Sequence, residues 1–366
     1  MTSPQPITSV ILPGRLGRPE YELRTDPRAD PRMVRVMAAY DIDGLAAPAP
    51  VSSDDPIEAR LDFIGAAEEG FEHFFAALMA DLPPVPGVTH SRETIRGVDG
   101  NDIVLYIHRP QAESPTSLPG VLHLHGGGMT LLGTEGPAYA RFRDELAATG
   151  MVVIGVAFRN AAGAHGAHPF PAGLNDCTTG LDWAHAHRDQ LGLSKLIVGG
   201  ESGGANLSLA TTLKAKREGR LDMIDGVYTM VPFISGAYSW PEEQRAAELP
   251  SLLENDGYFV NCSLSAVIAS LYDPDAAHSK DPLCWPYWAG NEDLEGLPPH
   301  VITVNELDIY RDEGLAYYRK LARAGVNVTG RSITGVCHGA EVMFRQAMPD
   351  MYLSTINDVR GFAARL

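Results

Sequence analysis

The chain has 366 residues, of which 45% are apolar and 20% are charged. This composition is typical of a globular protein and excludes a collagen-like, coiled-coil or largely disordered chain. Lysines and arginines number 29 against 46 aspartates and glutamates, so the net charge is −17. We therefore expect neither nucleic acid nor an anionic membrane surface as a partner.

The sequence shows no obvious targeting or membrane segment. No stretch reaches the roughly 18 consecutive apolar residues that a membrane span requires. The first twenty residues lack the basic segment and apolar run of a secretory signal. The four cysteines, Cys177, Cys262, Cys284 and Cys337, are widely scattered without a Cys-x-x-Cys pair. This spacing favours reduced thiols in a cytoplasmic protein over a disulfide framework.

The first clear periodicity along the chain is helical. Asp55 and Pro56 can serve as the N-cap and the first helical residue. The apolar residues that follow at helical spacing are Ile57, Leu61, Ile64, Phe71, Phe74 and Leu78. The pattern stops at Pro83. Two interpretations remain open, a helix that covers a site and a helix that packs only on the core.

From about residue 91, predicted strands alternate with predicted helices. The strands are expected at residues 93–96, 103–109, 121–125, 151–158, 195–199, 226–231, 300–304 and 328–333. The helices are expected at residues 137–149, 174–190, 203–217 and 312–324, with a helical C-terminal region. Residues 233–282 show only a weak pattern. The alternation predicts an α/β fold with a mostly parallel sheet covered by helices on both faces.

The strongest local motif is Gly200-Glu201-Ser202-Gly203-Gly204, a G-x-S-x-G between a predicted strand and a predicted helix. In that context the small residues allow a sharp turn that holds the serine side chain at the edge of the sheet. The alternatives are a glycine-rich structural turn and a phosphate-binding loop. A phosphate loop requires Gly-Lys-Ser/Thr, whereas Ala205 and Asn206 follow here. The motif therefore predicts that Ser202 is a nucleophile.

A second motif, His125-Gly126-Gly127-Gly128, directly follows a predicted strand. Acyl transfer needs preorganised backbone N–H groups for the oxyanion of its tetrahedral intermediate, and glycines let the backbone approach the substrate. Alone, the motif could be a flexible turn. Its position two βα units before Ser202 favours an oxyanion loop.

A serine nucleophile needs a base, and in this arrangement the chain order is serine, acid, histidine. Three histidines follow Ser202, at His278, His300 and His338. His300 begins a predicted strand and His278 lies in the irregular stretch. His338 lies in a glycine-flanked loop after the strand at 328–333, which makes it the best candidate for the base.

The acid is expected just beyond a strand, between the serine and the histidine in sequence. Asp308 follows the strand at 300–304 by a few residues, and Glu306 and Asp312 are the alternatives. Asp312 fits the acidic first turn of the next helix better, so we favour Asp308. No His-Glu-x-x-His or comparable ligand cluster is present, and we expect neither a metal nor a cofactor.

Taken together, these motifs resemble those of the hormone-sensitive-lipase group of α/β-hydrolases. The resemblance extends from about Arg92 to the C-terminus. It differs from the group at Ile309-Tyr310, where Pro-Leu commonly follows the acid. The segments that carry it are residues 125–128, 168–172 (His-Pro-Phe-Pro-Ala), 200–207, 312–314 with Asp308, and 338–339.

The resemblance implies an α/β-hydrolase fold and the hydrolysis of a carboxylic ester through an acyl-enzyme, without a cofactor. It implies oxyanion donors at the amides of Gly127, Gly128 and Gly203. It also implies a helical cap formed by residues 1–90 over a catalytic domain at 91–366, with residues 233–282 adding to the cap.

Within the group, the long N-terminal extension and the particular wording of these motifs resemble members that hydrolyse a macrocyclic lactone, and this resemblance implies a substrate such as brefeldin A. The alternatives are a general short-chain carboxylesterase and, in a different class, a ligand-binding module that has lost part of the triad. In either enzyme the partner is a small apolar ester or lactone, and the oligomeric state is left open.

The segment before Arg92 is expected to select the substrate without taking part in bond cleavage. Phe75 lies outside the apolar stripe given above, so we expect it to line a pocket above Ser202. The alternative is that Phe75 only packs against a second helix.

Overall fold

An eight-stranded sheet organises the protein in the computed structural model, which describes residues 12–112 and 116–366. The strands are β1 (Val88–Arg96), β2 (Asp102–Pro110), β3 (Leu118–Leu124), β4 (Val152–Val156), β5 (Leu193–Glu201), β6 (Gly226–Met230), β7 (His300–Asn305) and β8 (Val328–Ile333). Their order in the sheet is β1-β2-β4-β3-β5-β6-β7-β8. Strand β2 is antiparallel to β1 and β4, and the other neighbouring pairs are parallel. The predicted α/β fold with a mostly parallel sheet is confirmed.

Helices precede the first strand, lie between the strands and follow the last strand. They are α1 (Gly14–Gly17), α2 (Pro31–Ala38), α3 (Ile57–Met79), α4 (Pro137–Ala148), α5 (Ala172–Ala186), α6 (Arg188–Leu191), α7 (Gly203–Arg217), α8 (Glu242–Glu248), α9 (Ser251–Glu254), α10 (Cys262–Tyr272), α11 (Asn291–Leu294), α12 (Arg311–Arg323), α13 (Ala340–Met343) and α14 (Pro349–Ala363). Within the described ranges, none of them combines the length and apolar character needed to cross a bilayer.

The central strands are buried along their whole length and mostly apolar because helices cover both faces of the sheet. Every residue of β4, β6 and β7 is buried. Helix α4 packs against β2, β4 and α14, while α7 packs against β5, β6 and α5. A strand buried on both faces has no polar side to alternate with, which explains the continuous apolar runs in the sequence.

The edge strand β1 begins five residues earlier than the predicted start at 93. Its first residues pair with the end of β2, with Val88 opposite Pro110. Most of β1 is exposed, so no apolar pattern marks its first half.

Helix α3 extends from Ile57 to Met79, close to the predicted span, and packs against α4 and α10. The predicted N-cap was wrong by one position, because Pro56 rather than Asp55 is the N-cap residue. The Asp55 carboxylate instead accepts a hydrogen bond from the Ser52 backbone amide (2.6 Å).

The weakly patterned residues 233–282 contain three helices, α8, α9 and α10, separated by irregular chain. The four cysteines are free and buried. Burial raises the pKa of all four thiols.

Candidate active site

Ser202 occupies a sharp turn between β5 and α7, with φ at +56° and ψ at −118°. The turn presses the chain against the end of β3. A Cβ atom on Gly200 would lie 2.1 Å from the Leu124 carbonyl oxygen, and one on Gly204 would lie 1.9 Å from it. Only glycine fits at these two positions, so the G-x-S-x-G pattern follows directly from the geometry of the turn.

Three side chains predicted from the sequence meet at the carboxyl edge of the sheet. The His338 Nε2 atom lies 2.9 Å from the Ser202 Oγ atom, and the His338 Nδ1 atom lies 2.8 Å from the Asp308 Oδ2 atom. Ser202 follows β5, Asp308 follows β7 and His338 follows β8. Ser202 and His338 are each 8% exposed, and Asp308 is fully buried.

The two alternative acids have other partners. The Glu306 carboxylate accepts a hydrogen bond from the Gly335 amide (2.8 Å). The Asp312 carboxylate accepts one from the Ser251 amide (2.7 Å) and forms an ion pair with Arg311 (3.0 Å). Neither carboxylate takes part in the hydrogen bonds that join the serine and the histidine.

The two alternative histidines also lie elsewhere. His300 is buried at the start of β7, with its Nδ1 atom 2.6 Å from the Pro298 carbonyl oxygen. The His278 ring packs against Phe170, with 4.8 Å between ring centroids.

Residues 309–310, where the sequence departs from the group pattern, support the acid from its other side. The Tyr310 amide donates a hydrogen bond to the Asp308 Oδ1 atom (3.0 Å). The Tyr310 ring lies edge-on to the His338 ring, with 4.8 Å between centroids and 87° between planes. The departure therefore leaves the acid held in place.

The charges around His338 favour its protonated form. Burial lowers the pKa of His338. The nearby Asp308 carboxylate, helped by Glu341 and Glu201, raises this pKa by more than burial lowers it, so the net shift is upward from 6.5. Burial also raises the pKa of Glu201 to about 8 and that of Glu341 to about 7. Among these three carboxylates, Asp308 makes the largest contribution to raising the pKa of His338.

The glycines of the second motif turn their backbone toward Ser202. Gly127 and Gly128 have φ angles of +99° and +61°, and within residues 12–112 and 116–366 their amides donate to no acceptor. Gly203 is the first residue of α7, where an amide has no partner within the helix. A Cβ atom on Gly203 would lie 2.6 Å from the Gly128 nitrogen. Gly203 therefore lies beside Gly128, and Gly127 and Gly128 line the same cavity as Ser202.

Sequence analysis assigned no role to Glu201. Its Oε1 atom accepts a hydrogen bond from the Gly126 amide (2.6 Å), and its side chain is buried. The Oε2 atom lies 3.4 Å from the His123 Nε2 atom. The signal in the sequence was an acidic residue at the variable position of the elbow motif.

The loop that carries His338 is also fixed by residues that sequence analysis missed. Asn305, the last residue of β7, donates one hydrogen bond to the Cys337 carbonyl oxygen and one to the Glu341 carboxylate, both at 2.7 Å. No local motif marked Asn305 or Glu341, because their contact joins segments 36 residues apart.

A cavity with mostly apolar walls opens above Ser202. Helix α3 contributes Phe71 and Phe75 to its wall, and α10 contributes Leu264 and Ile268. The remaining lining residues are Gly126, Gly127, Gly128, Leu131, Leu132, Tyr139, Glu201, Phe233, Phe259, Val260, Tyr310, His338, Gly339, Val342 and Met343. Among the described residues, no lysine or arginine lines this cavity.

Three potential metal ligands lie together away from this cavity, at His90, His108 and Asp144. Both histidines approach the same Asp144 oxygen at 2.7 Å. Two ligands of a tetrahedral zinc ion are separated by roughly 3.3 Å, so these distances fit hydrogen bonds better. The other nitrogen of His108 accepts a hydrogen bond from Arg143 (3.0 Å), which leaves the proton on the nitrogen facing Asp144.

Comparison with known proteins identifies relatives of the whole arrangement. Residues 121–342 match a family model described as the alpha/beta hydrolase fold. Carboxylesterase NlhH of Mycobacterium tuberculosis is 30% identical over 250 residues, which cover 66% of this chain and 73% of that protein. Esterase LipI of the same species is 27% identical over 324 residues, which cover 86% and 88% of the two chains.

Among solved structures, brefeldin A esterase, described as a bacterial homologue of human hormone sensitive lipase, is 50% identical. It superposes with a TM-score of 0.94 over 97% of this chain and 98% of its own. Esterase Est22 is 36% identical, with a TM-score of 0.83 over 94% and 99% of the two chains. The resemblance to the hormone-sensitive-lipase group is confirmed: the chain belongs to the α/β-hydrolase family and is a carboxylic ester hydrolase.

Proposed function

We propose that Ser202, His338 and Asp308 cleave the ester through an acyl-enzyme. The observation that carries this proposal is the pair of hydrogen bonds, 2.9 Å and 2.8 Å long, that joins the three side chains beside an apolar cavity. Ser202 Oγ attacks the carbonyl carbon while His338 Nε2 takes the hydroxyl proton. The resulting tetrahedral intermediate collapses, and the leaving alcohol takes that proton from His338.

The second half of the reaction repeats these steps with water. A water molecule loses a proton to His338 as it attacks the acyl-enzyme, and the proton returns to Ser202 as the carboxylic acid leaves. Asp308 accepts a hydrogen bond from the Nδ1 atom and so directs the Nε2 lone pair toward Ser202. It also stabilises the imidazolium that forms in each half.

The amides of Gly127, Gly128 and Gly203 would bind the oxyanion of both intermediates. Their support is the positive φ of the first two glycines and the close approach of Gly203 to Gly128. Amides fixed in this way need no reorganisation when charge develops, so they stabilise the transition state more than the neutral ester.

A non-catalytic ligand-binding module is the alternative from another class. Such a module would lack part of the triad, whereas here all three side chains are present and hydrogen-bonded. This geometry favours catalysis.

For the substrate, we propose a macrocyclic lactone such as brefeldin A. The support is the 50% identity to brefeldin A esterase over nearly the whole chain, together with the apolar walls of the cavity. With a lactone, the acyl-enzyme stays covalently joined to its own alcohol, so water must attack before that alcohol does. A general short-chain carboxylesterase is the alternative, and the related Est22 has been solved with p-nitrophenol.

We further propose that residues 1–90 form a cap over a catalytic domain at 91–366, with residues 233–282 completing the cap. Phe71 and Phe75 of α3 reach the cavity wall, as do Phe259 and Leu264 from the later segment. The Phe71 ring lies 6.2 Å from Phe75 and 5.8 Å from Phe259, so the two segments meet through aromatic contacts.

We expect Ser202→Ala to abolish turnover of p-nitrophenyl acetate without lowering the melting temperature, because only one hydroxyl is removed from the turn. A fluorophosphonate probe should label the wild-type protein at Ser202 and leave the variant unlabelled. Labelling of another serine, or full activity in the variant, would assign the nucleophile elsewhere.

We expect Asp308→Asn to lower kcat by about ten-thousandfold, because an amide at this position favours the wrong imidazole tautomer. Asp312→Asn is the matched control. It changes a nearby carboxylate in the first turn of α12 that contacts Ser251 and Arg311, and it should lower kcat far less. The reverse ranking in steady-state kinetics would move the acid to Asp312.

The pH profile should show that His338 titrates above 6.5. Protonated His338 cannot accept the Ser202 proton, so kcat/KM should fall as the pH drops through the raised pKa. The Asp308→Asn substitution removes the largest interaction that raises the pKa of His338. In that variant the His338 imidazole should titrate at lower pH, and NMR can measure the shift. A wild-type acid limb below 6.5 would show that burial outweighs Asp308.

Phe75→Ala should raise KM for brefeldin A and leave kcat and KM for p-nitrophenyl acetate nearly unchanged, because a small ester does not reach α3. The matched control is Phe63→Ala, which removes the same side chain from the same helix outside the cavity lining. Absence of lactone hydrolysis by the wild-type protein would reject the proposed substrate. Equal kcat losses for both substrates at an unchanged melting temperature would show that Phe75 acts in bond cleavage.

A further inference from the structure

Glu68 is a charged residue on the buried face of α3. Its position continues the apolar spacing between Ile64 and Phe71, yet only 3% of the residue is exposed. The Oε1 atom accepts a hydrogen bond from the Leu132 amide (2.5 Å) and the Oε2 atom accepts one from the Ala164 amide (2.6 Å). Within the described ranges of the chain, no ion pair reaches this carboxylate.

The loop before Ala164 is shaped to admit the carboxylate. Gly163 has a φ of +72°, and a Cβ atom there would lie 2.5 Å from the Glu68 Oε2 atom. Any larger residue would push the carboxylate away from its partners. The close approach and the positive φ therefore both point to a site built around Glu68.

The segment that Glu68 holds is the oxyanion loop, defined here as residues 126–132. At its start, the Gly126 amide donates to the Glu201 carboxylate (2.6 Å), and at its end the Leu132 amide donates to Glu68. Within the loop, the Gly127 carbonyl oxygen accepts hydrogen bonds from the amides of Thr130 and Leu131, both at 3.0 Å. Two buried carboxylates therefore fix the two ends of the segment that carries the proposed oxyanion donors.

The carboxylate is suited to this task in a way that an amide is not. Burying a charged group is unfavourable unless hydrogen bonds compensate it, and here two backbone N–H groups do so. A glutamine could accept from one of them, but its NH₂ group would face the other. An apolar residue would complete the helix stripe but would leave the buried Leu132 amide without its acceptor.

We propose that Glu68 is a positioning residue for the oxyanion hole, acting through the Leu132 end of the oxyanion loop. This inference rests on the proposed function, because it takes the Gly127 and Gly128 amides as oxyanion donors. It departs from the expectation that the segment before Arg92 only selects the substrate. Helix α3 would support bond cleavage through Glu68 as well as shape the cavity through Phe71 and Phe75.

The experiment compares Glu68→Gln with Glu69→Gln, which changes the neighbouring exposed carboxylate of the same helix. Removing one oxyanion donor outright costs about 10²–10³ in kcat. A displaced oxyanion loop should cause part of that loss in kcat. We therefore expect kcat for p-nitrophenyl acetate to fall by about tenfold or more in Glu68→Gln, with little change in KM. The affinity for a trifluoromethyl ketone, which forms an oxyanion on Ser202, should fall by a similar factor. Glu69→Gln should match the wild-type protein.

A second variant tests the proposal independently, in case Glu68→Gln does not fold. Gly163→Ala keeps the charge of Glu68 but pushes on its Oε2 atom, and it should lower kcat in the same direction with KM retained. An unchanged kcat per folded molecule in both variants, with only a lower melting temperature, would show that Glu68 merely stabilises the fold and would overturn the proposal. A rise in KM confined to bulky esters would also overturn the proposal, because it would show that Glu68 shapes the cavity and does not position the oxyanion hole.

The proposed function is tested separately by the final extent of fluorophosphonate labelling of the wild-type protein. Complete labelling at Ser202 combined with unchanged kinetics in the Glu68 and Gly163 variants rejects the role of Glu68 alone. Labelling at another serine rejects the triad itself.

Discussion

The site depends on the close approach of two backbone segments, the turn at Ser202 and the end of β3. The Leu124 carbonyl oxygen leaves no room for a Cβ atom on Gly200 or Gly204. This contact forces the turn into its left-handed conformation at Ser202 and aims the hydroxyl at the sheet edge. It also brings the start of α7 beside the glycines that follow β3. The proposed nucleophile and the proposed oxyanion donors are therefore placed by one backbone contact, and His338 and Asp308 need only reach the same edge from β8 and β7.

Of the carboxylates buried at this edge of the sheet, Asp308 is the one that forms a hydrogen bond with the His338 imidazole. Four carboxylates, Asp308, Glu201, Glu313 and Glu341, are buried near the cavity. Burial raises the pKa of Glu201 and Glu313 to about 8 and that of Glu341 to about 7, so it opposes the ionisation of these three side chains. Asp308 differs because it bonds directly to the imidazole that becomes positive during the reaction. One carboxylate then stabilises the imidazolium, while the others act mainly as hydrogen-bond acceptors.

What could be read from the sequence was set by local backbone demands. The turn at Ser202 and the glycines of the oxyanion loop leave clear motifs, because only particular residues fit there. The order of strands and helices was likewise visible in the apolar runs of β4, β6 and β7. The exposed start of β1 was missed because a solvated edge strand imposes no pattern on its side chains.

Residues whose role depends on contacts between distant segments were harder to identify. Asn305 and Glu341 support the His338 loop, and nothing near either residue in sequence indicates it. Glu68 left a trace, a charge at an apolar position of α3, but its partners lie 64 and 96 residues away. Asp308 could be favoured over Glu306 and Asp312 only by its distance from a strand and by the helix-capping position of Asp312. In the structure, the other two carboxylates have their own partners.

The absence of lysine and arginine from the cavity lining, within the described residues, bears on how the reaction ends. A neutral ester enters an apolar chamber without losing any favourable charge contact. Its hydrolysis converts it into an acid that ionises near neutral pH and then finds no lysine or arginine in the lining to retain it, within a chain of net charge −17. The cation that the cavity can offer is the imidazolium of His338, which must lose its proton again before the next turnover. We therefore expect the charge distribution that accepts a neutral ester to favour release of the acid, so that accumulated product does not occupy the site.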